Sequence, residues 1–155
     1  GEPLMGPAGQ RFNRQLERAG LLRDAVWLDN RVHCRPPNNE VRKFPDALSK
    51  CADLWLFPAL FRELDNLQVV VTLGAVAGSL WFGKQSVEEQ AISSRAVLVG
   101  AQHFKDGAIP KRWLLAPLYI VGAYHPSYPF YKGGDWNCID DSIVASMLRA
   151  KELSK

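Results

Sequence analysis

The amino-acid sequence predicts an α/β layered domain built on a mainly parallel sheet of four strands. Short apolar runs of strand length alternate along the chain with segments of helical periodicity, the pattern of layered domains with parallel sheets. The β-branched run Gln68-Val-Val-Val-Thr72 passes through Leu73-Gly74 into the small-residue segment Ala75–Leu80, as a buried strand does when it turns into a helix packed on it. Of 155 residues, 47% are hydrophobic and 23% charged, close to the globular average, so one domain over residues 1–155 with a core of its own is expected.

The elements follow in order. Between Gln10 and Leu22, Phe12, Leu16 and Ala19 recur at helical spacing with Arg11, Arg14, Glu17 and Arg18 around them, which predicts an amphipathic helix ending near Gly20. Ala25-Val-Trp-Leu28 reads as a strand running into the rigid turn Arg35-Pro-Pro-Asn-Asn39. Pro45 suits a first helical turn, with Leu48, Cys51 and Leu54 or Trp55 recurring toward Pro58, and Leu60, Phe61 and Leu64 continue the pattern. Strands are predicted at Ala96–Val99, ending at Gly100, and at Leu118–Val121, ending at Gly122-Ala-Tyr-His125. A closing helix from Asp140 to Leu153 carries Ile143, Met147 and Ala150 on one face, with Asp140 and Asp141 in its first turn.

Composition narrows the function classes. Nineteen basic against 16 acidic residues leave a net charge of +3, which permits an anionic partner without demanding one. No apolar run approaches the roughly 18 residues of a membrane span, so a soluble protein with no membrane partner is expected. Cys34, Cys51 and Cys138 are too few and too scattered for a secreted disulfide framework, which favours a reducing, cytoplasmic setting.

Chemistry in an open parallel sheet gathers outside the carboxyl ends of the strands. Asn30 stands at one such end, where its amide can read the edge of a base or simply cap a turn. Leu73-Gly74-Ala75 stands at another, a helix-opening turn able to meet a phosphate or to serve packing alone. At the third, His125 is fixed before Pro126 and can steady a developing oxyanion, exchange a proton, or be an ordinary loop histidine. Tyr128, Phe130, Tyr131 and Lys132 follow with Gly133-Gly134, a loop composition suited to DNA or to covering a core. Cys34 and Cys51 are buried thiols or metal ligands in need of further partners, whereas Cys138 lacks any paired spacing and reads as a buried small residue. His33 and His103 have no comparable setting.

Asn30-Arg-Val-His-Cys34-Arg-Pro-Pro37, then Cys51, Val69–Ala75 and His125-Pro-Ser127, in this order and spacing, resemble the iron–sulfur uracil-DNA glycosylases, family 4 of that superfamily. The opening Gly1-Glu-Pro-Leu-Met-Gly6-Pro-Ala-Gly9 is similar to the segment following that family's first motif. The resemblance implies a three-layer α/β/α fold and removal of uracil from DNA in base-excision repair. It implies that Asn30 selects the flipped uracil and that His125 donates to the uracil oxygen that gains charge. Ser127 would hold the DNA backbone, and Tyr128, Phe130, Tyr131 and Lys132 would enter the duplex. Leu4 takes the place of the phenylalanine that stacks on the base, without its π-face. Cys34 and Cys51 would be two of four ligands to a structural four-iron cluster. A monomer acting on uracil-containing DNA is implied.

The sequence opens after the motif that positions the hydrolytic water, and two cluster cysteines have no counterpart in it. If residues precede Gly1, an ordinary glycosylase is expected; if none do, weak stability and little hydrolysis. A non-catalytic DNA- or nucleotide-binding member of the fold is therefore the second expectation. An assembly domain with the aromatic loop as its interface is the third.

Overall fold

The structure is a computed structural model that describes residues 2–33, 36–63, 66–99, 111–132 and 135–155, without the side chains of residues 39, 42, 62, 63, 112, 131 and 132. In chain order come helices α1 (Pro7–Arg18) and α2 (Pro45–Cys51), strand β1 (Val69–Leu73), helices α3 (Gly74–Phe82) and α4 (Val87–Gln90), and strand β2 (Ser94–Val97). Helix α5 (Lys111–Leu115), strand β3 (Leu118–Ala123) and helices α6 (Tyr128–Lys132) and α7 (Trp136–Leu153) complete them. The chain divides into two compact units, one of Gly1–Leu28, Gln68–Val97 and Leu118–Lys155, the other of Asp29–Leu67 and Leu98–Pro117.

The first unit holds the sheet, in the order β1-β3-β2. β1 runs parallel to β3 with Leu73 opposite Ala123, and β2 runs antiparallel to β3 with Val97 opposite Leu118. Among the described residues the sheet therefore has three strands rather than the expected four. Ala25–Leu28 does not join it: Arg23–Ala25 forms a tight 3-10 turn, after which Val26 and Leu28 pack on the core without a strand partner among the described residues. Apolar composition favoured a strand there, but pairing makes a strand, and these side chains find their burial without it. β2 also starts earlier than expected, because the ladder to β3 begins at Ser94 and leaves Leu98 exposed.

Phe12, Leu16 and Ala19 of the first segment meet Ile143, Val144 and Met147 of α7 in one buried cluster, as helical spacing predicted. α1 begins at Pro7, a residue that suits a first turn. It closes at Gly20, whose N–H donates to Glu17 O while Leu21 N–H donates to Leu16 O, the paired bonds of a Schellman end. α7 begins four residues before Asp140, because Asp135 caps it by accepting from Asn137 N–H at 2.8 Å. Asp140 and Asp141 therefore sit beyond the first turn, and α1 explains them: Asp140 accepts from Arg11 Nε at 2.6 Å and from Gln15, and Asp141 pairs with Arg18. Ser146 Oγ ties α7 to the sheet by donating to Gly122 O at 2.9 Å.

In the second unit, α2 runs on as wide π-type turns at Ala52–Leu56 and Ala59–Glu63, so the helical path passes Pro58 as the periodicity suggested. Cys51, Ala52, Leu56, Leu60 and Phe61 are buried, whereas Leu54 and Trp55 are exposed, contrary to the face expected for them. Phe61 meets the Trp113 ring edge-on at 5.5 Å.

Candidate functional site

β1 and β3 are parallel neighbours, so their carboxyl ends stand side by side and deliver the Gly74 turn and His125 to one place. Gly74 has φ +83°, and a Cβ added there would lie 2.9 Å from His125 Cβ. The glycine thus meets two needs, a backbone conformation that side chains resist and room for the histidine. Its use is to seat His125.

The turn after β3 closes by Tyr128 N–H donating to His125 O at 2.8 Å. Within it, Ser127 N–H points at His125 Nδ1 at 3.1 Å, and Ser127 Oγ lies 2.6 Å from the same nitrogen. A nitrogen that accepts from a backbone N–H carries no proton, so the network assigns the proton to Nε2. Burial lowers the pKa of His125 from its ordinary 6.5, which keeps the ring neutral at neutral pH. The outcome is a half-buried, uncharged imidazole with one oriented N–H donor.

The stretch expected as a loop is the short helix α6, with Pro129 in its first turn. Tyr128 packs edge-on against Tyr124 at 5.0 Å, and its hydroxyl donates to Glu88 Oε1 at 2.6 Å. That bond to a carboxylate raises the Tyr128 pKa, and burial raises that of Tyr124. Glu88 reaches Tyr128 from α4, a four-residue helix fixed by a capping box between Ser86 and Glu89. Phe130 is exposed and meets Trp136 edge-on at 4.7 Å. The Tyr131 and Lys132 side chains lie outside the described residues. Glu88 was not singled out from the sequence, since nothing in the spacing Glu88–Tyr128 marks a contact across 40 positions.

Leu4 is half-buried and packs on the cluster of Phe12, Leu16 and Ile143 that Tyr124 also borders. Ser127, expected at the DNA backbone, spends its amide and hydroxyl on His125.

In the second unit Asn30 is exposed, and its N–H donates to Asp29 Oδ1 at 2.7 Å. The same Asp29 oxygen lies 3.1 Å from His33 Nε2, and the His33 ring stacks on Trp55. His33 is thus structural, and Asp29 is the residue that shapes this turn. Cys51 is a buried free cysteine whose sulfur accepts from His33 N–H at 3.1 Å. Cys34 lies outside the described residues, and Cys138 is exposed rather than buried as its isolated spacing suggested. A four-iron cluster takes four thiolates, and among the described residues no three His, Cys, Asp or Glu side chains stand together to hold a metal. The described residues therefore do not complete a cluster site. Nor is any helix among them long and apolar enough to cross a membrane.

Comparison with known proteins adds to this geometry. The model of the Uracil DNA glycosylase superfamily matches residues 1–140. The type-4 uracil-DNA glycosylase of Archaeoglobus fulgidus is 31% identical over 134 residues, covering 85% of this chain and 60% of its own. That of Thermotoga maritima is 29% identical over 83% of this chain and 57% of its own. The Sulfurisphaera tokodaii protein of the same name is 33% identical over 84% and 54%. The chain spans no more than about three-fifths of the length of these curated relatives.

Proposed function

Because the chain belongs to the uracil DNA glycosylase superfamily, we propose that it is a DNA-repair hydrolase that flips uracil out of DNA and cuts its N-glycosidic bond. The observation that carries this reading is the neutral His125, held as an Nε2–H donor at the carboxyl end of a parallel strand pair. When the bond to the sugar breaks, the bonding electrons leave with the base and negative charge gathers on its oxygen. A fixed donor aimed there stabilises the transition state more than the ground state. A neutral donor suits this task, since it is not spent on solvent counter-ions and needs no proton transfer.

Asn30 is the proposed selector of uracil and Leu4 the apolar wall beside the base. Ser127 sets the tautomer of His125 within the turn that faces the DNA backbone, and Tyr128, Phe130, Tyr131 and Lys132 meet the duplex. Cys34 and Cys51 are proposed as two of the four ligands of a structural cluster, through which no catalytic step runs. The proposed working form is a monomer of one three-layer α/β/α domain, acting on DNA in the cytoplasm.

Leu4 favours one second reading. Its side chain is partly buried against the core and offers no π-face, which suits a member that binds DNA without releasing the base. Uracil release from single- and double-stranded DNA separates the two. Release that falls on His125→Ala supports the glycosylase; DNA binding with no release, while a type-4 relative releases uracil, supports the second reading.

A further inference from the structure

We propose that Arg23 is a positioning residue for the turn that carries Leu4, locking that turn onto α1 before any base arrives. The inference rests on the functional reading above, in which Leu4 borders the flipped base. Leu4 has φ +56°, in the left-handed region that leucine rarely enters. Such a conformation persists only where its surroundings over-determine it.

Three contacts do so. Gly9 supplies the space: a Cβ added to it would lie 1.4 Å from Leu4 O, so the Leu4 carbonyl fills the place where any other residue of α1 would carry a side chain. The Leu4 side chain packs on the Phe12–Leu16 cluster. Arg23 then grips both flanks of the turn, with Nη2 donating to Pro3 O at 2.7 Å and lying 3.9 Å from Met5 Sδ. Its other arm, Nη1, donates to Asn13 Oδ1 on α1 at 3.0 Å. One planar guanidinium therefore joins the turn to the helix through two forked donors, a geometry that an ammonium cannot reproduce.

The helix and the core do not require this bridge. Phe12, Leu16, Ile143 and Met147 form an apolar cluster of which Arg23 is no part, and Arg23 itself stands half-buried in a single 3-10 turn. What the bridge fixes is the direction of the Leu4 backbone and side chain, the preorganisation that recognition of a small planar base requires.

The test compares binding of two single-stranded oligonucleotides, one carrying a deoxyuridine analogue whose glycosidic bond resists cleavage, the other deoxycytidine at that place. Arg23→Ala, which removes both guanidinium hydrogen bonds, is expected to lower the preference for the uracil strand by about tenfold or more and to leave affinity for the cytosine strand unchanged. Arg23→Lys, which reaches Pro3 O or Asn13 but not both, should restore part of the preference. A parent-like preference in a folded Arg23→Ala chain would overturn the inference and leave the functional reading intact. Should Arg23→Ala fail to fold, Asn13→Ala, which frees one arm only, is expected to lose a smaller share, and an undiminished preference there overturns the inference equally. A parent chain with no preference for uracil defeats the functional reading, and this inference with it.

Discussion

His125 serves as a donor only while its Nδ1 remains an acceptor, so its chemistry depends on two atoms of Ser127 as much as on its own ring. Replacing it by alanine should slow uracil release by about 100- to 1,000-fold, the loss seen when one oxyanion donor is removed, measured in single-turnover assays. Burial lowers the pKa of His125 in the folded state, so the unfolded chain takes up this proton first as the pH falls below about 6.5. Stability contributed above that value is then lost on acidification, and His125→Gln should flatten this part of a denaturation-versus-pH profile. Gly74→Ala should cost about 1–2 kcal/mol through its positive φ and press on His125, visible as a lower Tm together with slower release. These residues were legible because they are neighbours in sequence: His125, Pro126 and Ser127 form one turn, and Gly74 ends a recognisable strand. Glu88 on Tyr128, Asp29 on His33 and Arg23 on Pro3 were not, because each is a polar contact that only the folded path creates.

α1 and α7 show how an element reads differently once its partner is present. Periodicity placed Phe12, Leu16, Ile143 and Met147 correctly, since apolar spacing reports the buried face directly. It misplaced the start of α7, because Trp136-Asn-Cys-Ile139 has no helical signature and the cap at Asp135 decides the boundary. It also credited Asp140 and Asp141 to the helix dipole, when both answer arginines of α1. The two aspartates are adjacent yet unequal. Arg11 is buried, donates to Asp140 and to Trp136 O, and lies 3.9 Å over the Trp136 ring, whereas Arg18 and Asp141 are exposed. Asp140→Ala leaves Arg11 Nε and Gln15 Nε2 without their acceptor and should destabilise the chain by about 2–3 kcal/mol in urea denaturation. Asp141→Ala removes a solvent-screened pair and should cost less than about 1 kcal/mol. Among the described residues the expected strand at Ala25–Leu28 has no ladder partner: it has the composition of a strand, but Val26 and Leu28 pack on the core as partly buried side chains without pairing.

At the scale of the whole molecule, family membership was legible from motif order, which survives over residues 1–140 although single motifs are short. The pairing of the described strands and the contacts across the chain were not, since pairing partners are set by topology rather than by local composition. Charge adds a further expectation. On the proposed DNA reading a net +3 is modest, so phosphate contacts should be few and much of the affinity should come from the base and from rings such as Phe130. About three neutralised phosphates on single-stranded DNA give a slope of log K against log salt of about −2, so binding should weaken about 20-fold between about 50 mM and 200 mM salt. Phe130→Ala should lower affinity at every salt concentration and leave that slope unchanged, because stacking releases no counter-ions. A variant that changed the slope instead would make Phe130 a determinant of how the basic residues lie on the backbone, and the ring would cease to count as a contact of its own.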